Sequence, residues 1–259
     1  MKDTNLLKRT IVGIIGIPLI LLLVYLGGHY LFAMVLILSS LCLYELGQLF
    51  RKREIEIPTI FLILISITLQ TLKYFNIESF ELYIMIVFPV LIFFELLRKK
   101  RSLLNIIVSL SSLIYITVPF ILLLELSVDY RIGILIFLFV WSSDIFSYFG
   151  GILLGQHKLI TISPNKTVEG LISGIVFTVV VSIVYGFYVI GTRSLWYWAL
   201  TGLIATLSAT TGDIFESMLK RFCLVKDSSN IIPGHGGILD RFDSLLIVVP
   251  IIFFFFKLI

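Results

Sequence analysis

The sequence has few of the residues on which soluble domains, disulfide frameworks and zinc sites depend. Only 14% of its 259 residues are charged, and its two cysteines and three histidines follow no metal-ligand or disulfide spacing. The alternating ten-residue segments of a membrane β-barrel are absent as well. No internal repeat, proline-rich linker or low-complexity tract divides the chain. We therefore expect one domain over residues 1–259.

Apolar residues are what the sequence has in abundance. They make up 59% of the chain, with a mean hydropathy of +1.09, whereas soluble domains contain about 45–50%. Runs of roughly twenty apolar residues recur, which predicts an all-α, polytopic membrane protein. The first run resembles a signal peptide but lacks a small-residue cleavage site, so we count it as a span. Nine spans are expected, at about 10–27, 30–49, 57–75, 81–97, 103–126, 132–153, 168–191, 195–219 and 238–257.

Basic residues divide unevenly between the two sides of these spans. With a cytoplasmic N-terminus, sixteen of the twenty Lys and Arg lie inside, and only Lys73, Arg131, Arg193 and Lys257 lie outside. The positive-inside rule then predicts that the N-terminus lies inside and the C-terminus outside. We expect the protein in the cell's inner membrane, with its active site facing the cytoplasm. The basic run at 98–101 is expected to meet anionic lipid headgroups.

The two halves of the chain differ in polar content. Residues 1–126 form generic hydrophobic spans, in which we expect Glu45 and Glu95 to be interfacial anchors near the inner helix ends. Residues 132–257 carry the chemistry. Asp144 lies in the middle of span six, where a carboxylate is costly unless it faces a polar cavity or a partner, so we favour a functional role for it.

Two pairs of carboxylates mark the last two spans. Asp213 and Glu216 lie three residues apart, as do Asp240 and Asp243, so each pair projects from one helical face. Sites made only of carboxylates favour hard cations such as Mg²⁺, shared with substrate phosphates, and two such helices suit one or two ions. Basic residues on the same side supply phosphate contacts: Lys166, Lys220, Arg221, Lys226 and Arg241. The pattern indicates phosphoryl or nucleotidyl transfer in a polar cavity open to the cytoplasmic side.

The loop at 163–170, S-P-N-K-T-V-E-G, precedes span seven. Thr167 is predicted to be the helix N-cap, and a helix N-terminus beside Lys166 suits an anionic phosphate. The loop is not a P-loop, because that motif needs glycine where Ile160 and Asn165 stand.

These motifs resemble the phosphatidate cytidylyltransferase (CDP-diacylglycerol synthase) family. The resemblance rests on S-M-L-K-R at 217–221, K-D-S-S at 226–229 and I-P-G-H-G-G-I-L-D-R-F-D at 232–243. The G-D-I-F-E-S block at 212–217 and the loop at 163–170 are further family elements. The match says little about spans one to five.

The resemblance implies transfer of CMP from CTP to phosphatidate, with CDP-diacylglycerol and pyrophosphate as products. It implies Mg²⁺, with a second cation left open, and five candidate metal ligands: Asp213, Asp240, Asp243, Asp144 and Glu216. The first three, with Lys220, form the expected catalytic set. Substrate binding is assigned to the basic residues, to two hydrogen-bonding side chains and to the histidine of the glycine-rich loop: Lys166, Arg221, Lys226, Arg241, Ser217, Asn230 and His235.

Other functions remain possible from the sequence alone. Buried acids also mark ion-coupled transporters, although here they cluster at one face instead of crossing the bilayer. A CTP-dependent lipid kinase, or an enzyme that transfers CMP to a different lipid phosphate, fits the same cluster. A CDP-alcohol phosphotransferase does not fit, because the chain has no Asp-Gly pair. The expected partners are CTP, phosphatidate and membrane lipids, with no nucleic acid; a homodimer through the amino-terminal spans is left open.

Overall fold

The chain folds into α-helices that follow the apolar runs of the sequence. The computed structural model describes residues 2–77, 80–98, 101–191, 193–229, 231 and 236–258, with the side chains of 2–12 and 80–82 left aside. Within these ranges nine α-helices and one π-helical turn occur: α1 Lys2–Leu26, α2 Gly28–Arg51, α3 Thr59–Tyr74, α4 Phe80–Leu96, α5 Leu103–Leu126, α6 Tyr130–Leu154, α7 Val168–Tyr185, the π turn Gly186–Ile190, α8 Leu195–Phe222 and α9 Leu239–Leu258.

Helix ends agree with the predicted spans because local side chains fix them. Ser102, Asp129, Thr167 and Ser194 each accept a hydrogen bond from a backbone N–H in the first turn of the helix that follows. The predicted cap at Thr167 is confirmed: its hydroxyl accepts from the Gly170 N–H at 3.1 Å. The main difference is at α1, which continues through the polar residues that precede the first apolar run.

Four helices are long and apolar enough to cross a membrane. Among the described residues these are Gly28–Arg51, Leu103–Leu126, Tyr130–Leu154 and Val168–Ile190, and three further apolar helices are shorter. The charged residues that α8 and α9 carry lower their hydropathy. The chain is thus a helical membrane protein, and the crossing of the bilayer by all nine helices stays a prediction.

Helices α8 and α9 pack with their backbones in contact. A Cβ placed on Gly212 would lie 2.7 Å from the carbonyl oxygen of Asp243 and 2.9 Å from the Cα of Ser244. The Ser244 hydroxyl also donates to the Ala209 carbonyl at 3.1 Å. Only glycine permits this approach, which carries Asp213, the next residue of α8, towards Asp243.

Buried polar side chains join the amino-terminal helices. The Gln70 amide of α3 donates to Ser39 of α2 at 2.9 Å and to Ser66 at 2.7 Å, and Thr117 of α5 donates to Ser66 at 2.9 Å. All four side chains are buried. Such bonds fix helix pairs where hydrocarbon offers no alternative partner, so the first half is more specifically assembled than its hydropathy alone indicates.

Candidate active site

Three acidic residues from three helices line one polar cavity. Asp144 of α6, Asp213 of α8 and Asp243 of α9 lie on a cavity of about 270 Å³. Its remaining wall is also polar and comes from α8, α9 and the segment between them: Lys220, Asp227, Asp240, Arg241 and Ser244.

A second cavity, of about 310 Å³, shares Asp144 and Asp213 with the first. Its wall comes from α6, α7, α8 and the loop before α7, and it includes Lys166. Unlike the first, it also has apolar and aromatic lining, from Tyr148 and Leu171 among others. The two cavities therefore meet at two carboxylates. The first cavity has a fully polar wall, and the second has an amphipathic wall.

Lys166 pairs with Asp213 across the amphipathic cavity. Its ammonium nitrogen lies 2.5 Å from Oδ2 of Asp213, and both side chains remain partly exposed. Ser217, one turn further along α8, reaches Oδ1 of Asp213 only at 3.4 Å, the outer limit of a hydrogen bond. The ion pair connects the loop before α7 to the helix that carries the acidic motif.

Lys220 joins the two predicted acidic pairs. Its ammonium forms an ion pair with Glu216 on α8 and another, at 2.8 Å, with Oδ1 of Asp240 on α9. Oδ2 of Asp240 accepts hydrogen bonds from the Ser228 N–H at 3.0 Å, the Ser228 hydroxyl at 3.0 Å and the Gly237 N–H at 2.7 Å. Both oxygens of Asp240 are therefore engaged by the protein itself.

Asp144 and Asp243 have fewer hydrogen-bond partners than Asp240 among the described residues. The Ser244 N–H donates to Oδ1 of Asp243 at 2.7 Å, and the side chain is otherwise turned to the polar cavity. Asp144 is exposed at the cavity wall and interacts electrostatically with Asp213, Lys166 and Arg241. Together with Asp213, these two residues are carboxylates on the polar cavity that Lys220 does not hold.

The other predicted substrate contacts divide into three groups. Arg241 lies on the polar cavity. Arg221 donates to the Val225 carbonyl at 3.3 Å, and Lys226 is exposed; neither belongs to the walls of the two cavities. Asn230 and His235 lie outside the described residues.

The residues present fit a hard cation that binds together with substrate. In the described part of the chain, no group of three or more His, Cys, Asp or Glu side chains is arranged to hold an ion alone. The acidic side chains on the wall of the polar cavity nonetheless supply several carboxylate oxygens. Mg²⁺ is commonly held by one or two carboxylates plus substrate phosphates, and open carboxylates around a polar cavity suit that mode of binding.

Two acidic residues have positions that the sequence reading did not assign. The expectation that Glu45 anchors the membrane interface is wrong: the residue is fully buried and its carboxylate accepts hydrogen bonds from the segment before α9. Asp227 lines the polar cavity. Only its place inside the K-D-S-S motif could have indicated this. Glu95, also buried, does reach a cation, Arg98, at 3.2 Å.

Comparison with known proteins extends the motif resemblance to most of the chain. A phosphatidate cytidylyltransferase of Staphylococcus haemolyticus is 36% identical over 250 residues, which cover 94% of this chain and 96% of that protein. Those of Staphylococcus epidermidis and Staphylococcus aureus are each 33% identical over the same length and coverage. The model of the cytidylyltransferase family matches residues 7–259. The chain is therefore a nucleotidyltransferase that belongs to the cytidylyltransferase family.

Proposed function

We propose that this enzyme transfers CMP from CTP to phosphatidate at the cytoplasmic face of the inner membrane, giving CDP-diacylglycerol and pyrophosphate. The names of its relatives support this choice of substrates. One structural observation carries it: a polar cavity and an amphipathic cavity meet at Asp144 and Asp213. A water-soluble nucleotide suits the first, and a lipid phosphate suits the second.

The reaction depends on the positioning of its two substrates more than on acid–base catalysis. An oxygen of the phosphatidate phosphate attacks the α-phosphorus of CTP, the bond from that phosphorus to the bridging α–β oxygen breaks, and pyrophosphate leaves with that oxygen. A phosphate monoester has a second pKa of about 6, so the attacking oxygen is already largely ionised near neutral pH. No general base is needed. The protein's task is to hold the two anionic substrates in line and to balance their charge.

The basic residues divide between the two cavities. Lys166 lies on the amphipathic cavity and would bind the phosphatidate phosphate. Lys220 and Arg241 lie on the polar cavity and would bind the triphosphate. The ion pairs of Lys166 with Asp213 and of Lys220 with Asp240 hold both ammonium groups in place before substrate arrives. This preorganisation lowers the cost of bringing like-charged substrates together.

Asp144, Asp213 and Asp243 are the carboxylates from which we expect the ligands of Mg²⁺ to come, one or two of them together with substrate phosphates. When bound, the ion would neutralise charge on the triphosphate and on the leaving pyrophosphate. Asp240 and Glu216 instead fix Lys220, because their contacts are with that lysine and, for Asp240, also with the segment before α9.

One labelling experiment tests the proposal. Purified protein is given phosphatidate or diacylglycerol with CTP labelled either at the α-phosphate or at the γ-phosphate. We expect the α-label to enter lipid only with phosphatidate, and pyrophosphate to form in equal amount. Transfer of the γ-label to diacylglycerol would identify a CTP-dependent lipid kinase instead, and no label in lipid would contradict both assignments.

A further inference from the structure

Glu45 of α2 lies far from the acidic motif in sequence but touches the segment that supports it. Oε2 accepts from the Ser228 hydroxyl at 2.9 Å and from the Leu239 N–H at 2.8 Å. Oε1 accepts from the Ser229 hydroxyl at 2.7 Å and from the Ile238 N–H at 2.8 Å. The side chain is fully buried. A glutamate of the amino-terminal half therefore binds the start of α9 and the K-D-S-S motif together.

The chemistry of these four contacts requires a carboxylate. Both oxygens face two donors each, and an ionised carboxylate accepts at both oxygens without offering a donor of its own. Two of the donors, on Ile238 and Leu239, are backbone N–H groups at the beginning of α9, where the helix dipole favours negative charge. A buried charge is tolerated only when it is satisfied in this way.

The same contacts lead directly to the cavity. The Ser228 hydroxyl lies between Oε2 of Glu45 at 2.9 Å and Oδ2 of Asp240 at 3.0 Å, so it can donate to either carboxylate. Asp240 in turn holds Lys220 at 2.8 Å. Asp243 follows one helical turn later on α9. The position of Glu45 thus fixes where α9 begins relative to α2. Through Ser228 and Asp240, it also fixes the placement of Lys220.

Two neighbouring features depend on the same arrangement. A Cβ on Gly237 would overlap the Ser228 hydroxyl and the Glu45 carboxylate, so the chain is pressed closely around this glutamate. At the other end of the segment, Arg53 donates to the Phe222 carbonyl at the end of α8 and lies with its guanidinium carbon 5.1 Å from the Phe222 ring centroid. A negative group at the start of α9 and a positive group at the end of α8 both complement the helix dipoles.

We propose that Glu45 is a positioning residue for cytidylyl transfer, which fixes the segment between α8 and α9 and thereby Lys220 and Asp243. This inference rests on the proposed function of the cavity. It gives the amino-terminal half a part in the reaction: α2 orients the polar cavity without touching either substrate.

The test compares Glu45→Gln with Glu95→Gln. Glutamine keeps the shape of the side chain but turns an NH₂ group towards two donors, which disrupts at least two of the four bonds. Glu95 is a matched control, because it too is buried and accepts bonds at a helix start, from the Ser102 N–H at 2.9 Å and the Asn105 amide at 2.8 Å. It touches neither cavity wall. Steady-state constants for both substrates and thermal stability are measured for each.

We expect Glu45→Gln to lower kcat by about 10- to 100-fold, since a displacement of 1 Å in a reacting group costs up to about 100-fold. The KM for CTP should rise, because Lys220 moves, whereas the KM for phosphatidate should stay within twofold. Glu45→Asp, which keeps the charge, should retain more activity than Glu45→Gln. Glu95→Gln should lose stability but keep kcat within twofold.

Three results would overturn the inference. The first is a wild-type kcat in Glu45→Gln, and the second is an equal loss of kcat/KM for both substrates, and of stability, in Glu45→Gln and Glu95→Gln. The third is a Glu45→Asp variant that is no more active than Glu45→Gln. If Glu45→Gln does not fold, Ser229→Ala decides the matter. This variant removes one of the four donors, and a kcat equal to that of the wild type would contradict the positioning role. Failure of the proposed function is distinct, because the unsubstituted enzyme would then transfer no CMP to phosphatidate.

Discussion

The ammonium nitrogen of Lys166 lies 2.5 Å from Oδ2 of Asp213, so a cation of the protein stands beside a carboxylate that both cavities share. In the proposed reaction, a metal ion would bind Asp213 and the lipid phosphate would bind Lys166. A bound metal ion can replace the ammonium as the partner of Asp213, and the phosphate of a lipid can replace the carboxylate as the partner of Lys166. The ion pair therefore keeps both groups ready before the substrates bind.

Lys166→Met is expected to lower kcat/KM for phosphatidate at least tenfold. Methionine keeps most of the side-chain volume but removes the charge-assisted bond to phosphate, which is worth about 1.5–3 kcal/mol. Lys158→Met is the matched control: it changes another lysine between α6 and α7, which is exposed and lines neither cavity. Initial rates at several lipid fractions measure the effect. Equal losses in the two variants would show that only the general charge of the loop matters.

Two classes of carboxylate are expected to fail in different ways. Asp213→Asn and Asp243→Asn should leave the protein folded in detergent and abolish turnover, because transition-state charge stabilisation by a metal site is worth several kcal/mol. Asp240→Asn should lower turnover and also thermal stability. It weakens a largely buried ion pair with Lys220, a change that costs about 3–5 kcal/mol when one partner is lost entirely.

Thermal unfolding in detergent and activity over a range of Mg²⁺ concentrations separate the two classes. If Asp240→Asn proves inactive but as stable as the unsubstituted enzyme, Asp240 belongs with the metal ligands, as the motif alone suggests. Near-normal turnover of Asp213→Asn or Asp243→Asn at ordinary Mg²⁺ would remove that residue from the metal site.

The sequence predicts the helices well because hydropathy and capping are local properties. Thr167 shows this: its cap to Gly170 spans three residues, and the pattern before α7 was enough to find it. The role of Glu45 could not be found in this way, because its partners lie 183 to 194 residues further along the chain. A single acid at the end of an apolar run is typical of an interfacial anchor.

The contacts of the acidic pairs were only partly predictable for a related reason. Spacing places Asp240 and Asp243 on one helical face, but it does not say which of them meets a lysine. Both line the polar cavity, but Asp240 is held by Lys220 and by the segment before α9, whereas Asp243 accepts from the Ser244 N–H. The structural role that we propose for Asp240 and the metal-binding role that we propose for Asp243 rest on these partners, which depend on how α8 and α9 pack.

The orientation predicted from the basic residues can be tested with reporter fusions. We expect a reporter attached after residue 259 to lie outside the cytoplasm, and a reporter attached before residue 1 to lie inside it. The reason is that sixteen of the twenty Lys and Arg fall on one side of the predicted spans. A reporter after residue 101, within the basic run, serves as an internal control and should lie in the cytoplasm. A cytoplasmic C-terminus would contradict nine crossings.

Gly212→Ala is expected to lower both stability and turnover, because the added methyl group meets backbone atoms of α9 at 2.7 and 2.9 Å. Backbone cannot move aside as a flexible side chain can, so α8 and α9 must separate. Overpacking of this kind typically costs about 1–3 kcal/mol. The separation also moves Asp213 away from Asp243, and we expect turnover to fall about tenfold or more and the Mg²⁺ concentration for half-maximal rate to rise.

Gly16→Ala provides the comparison for this last prediction, since a Cβ on Gly16 of α1 meets no atom within 4 Å. The same substitution there should leave turnover unchanged, and stability unchanged or slightly higher, because alanine is the better helix former by about 1 kcal/mol. Turnover and Mg²⁺ dependence are measured for both variants at matched protein concentration. If Gly212→Ala loses stability but keeps its Mg²⁺ dependence, the close approach of α8 and α9 serves packing alone, and Asp213 and Asp243 do not act on one cation.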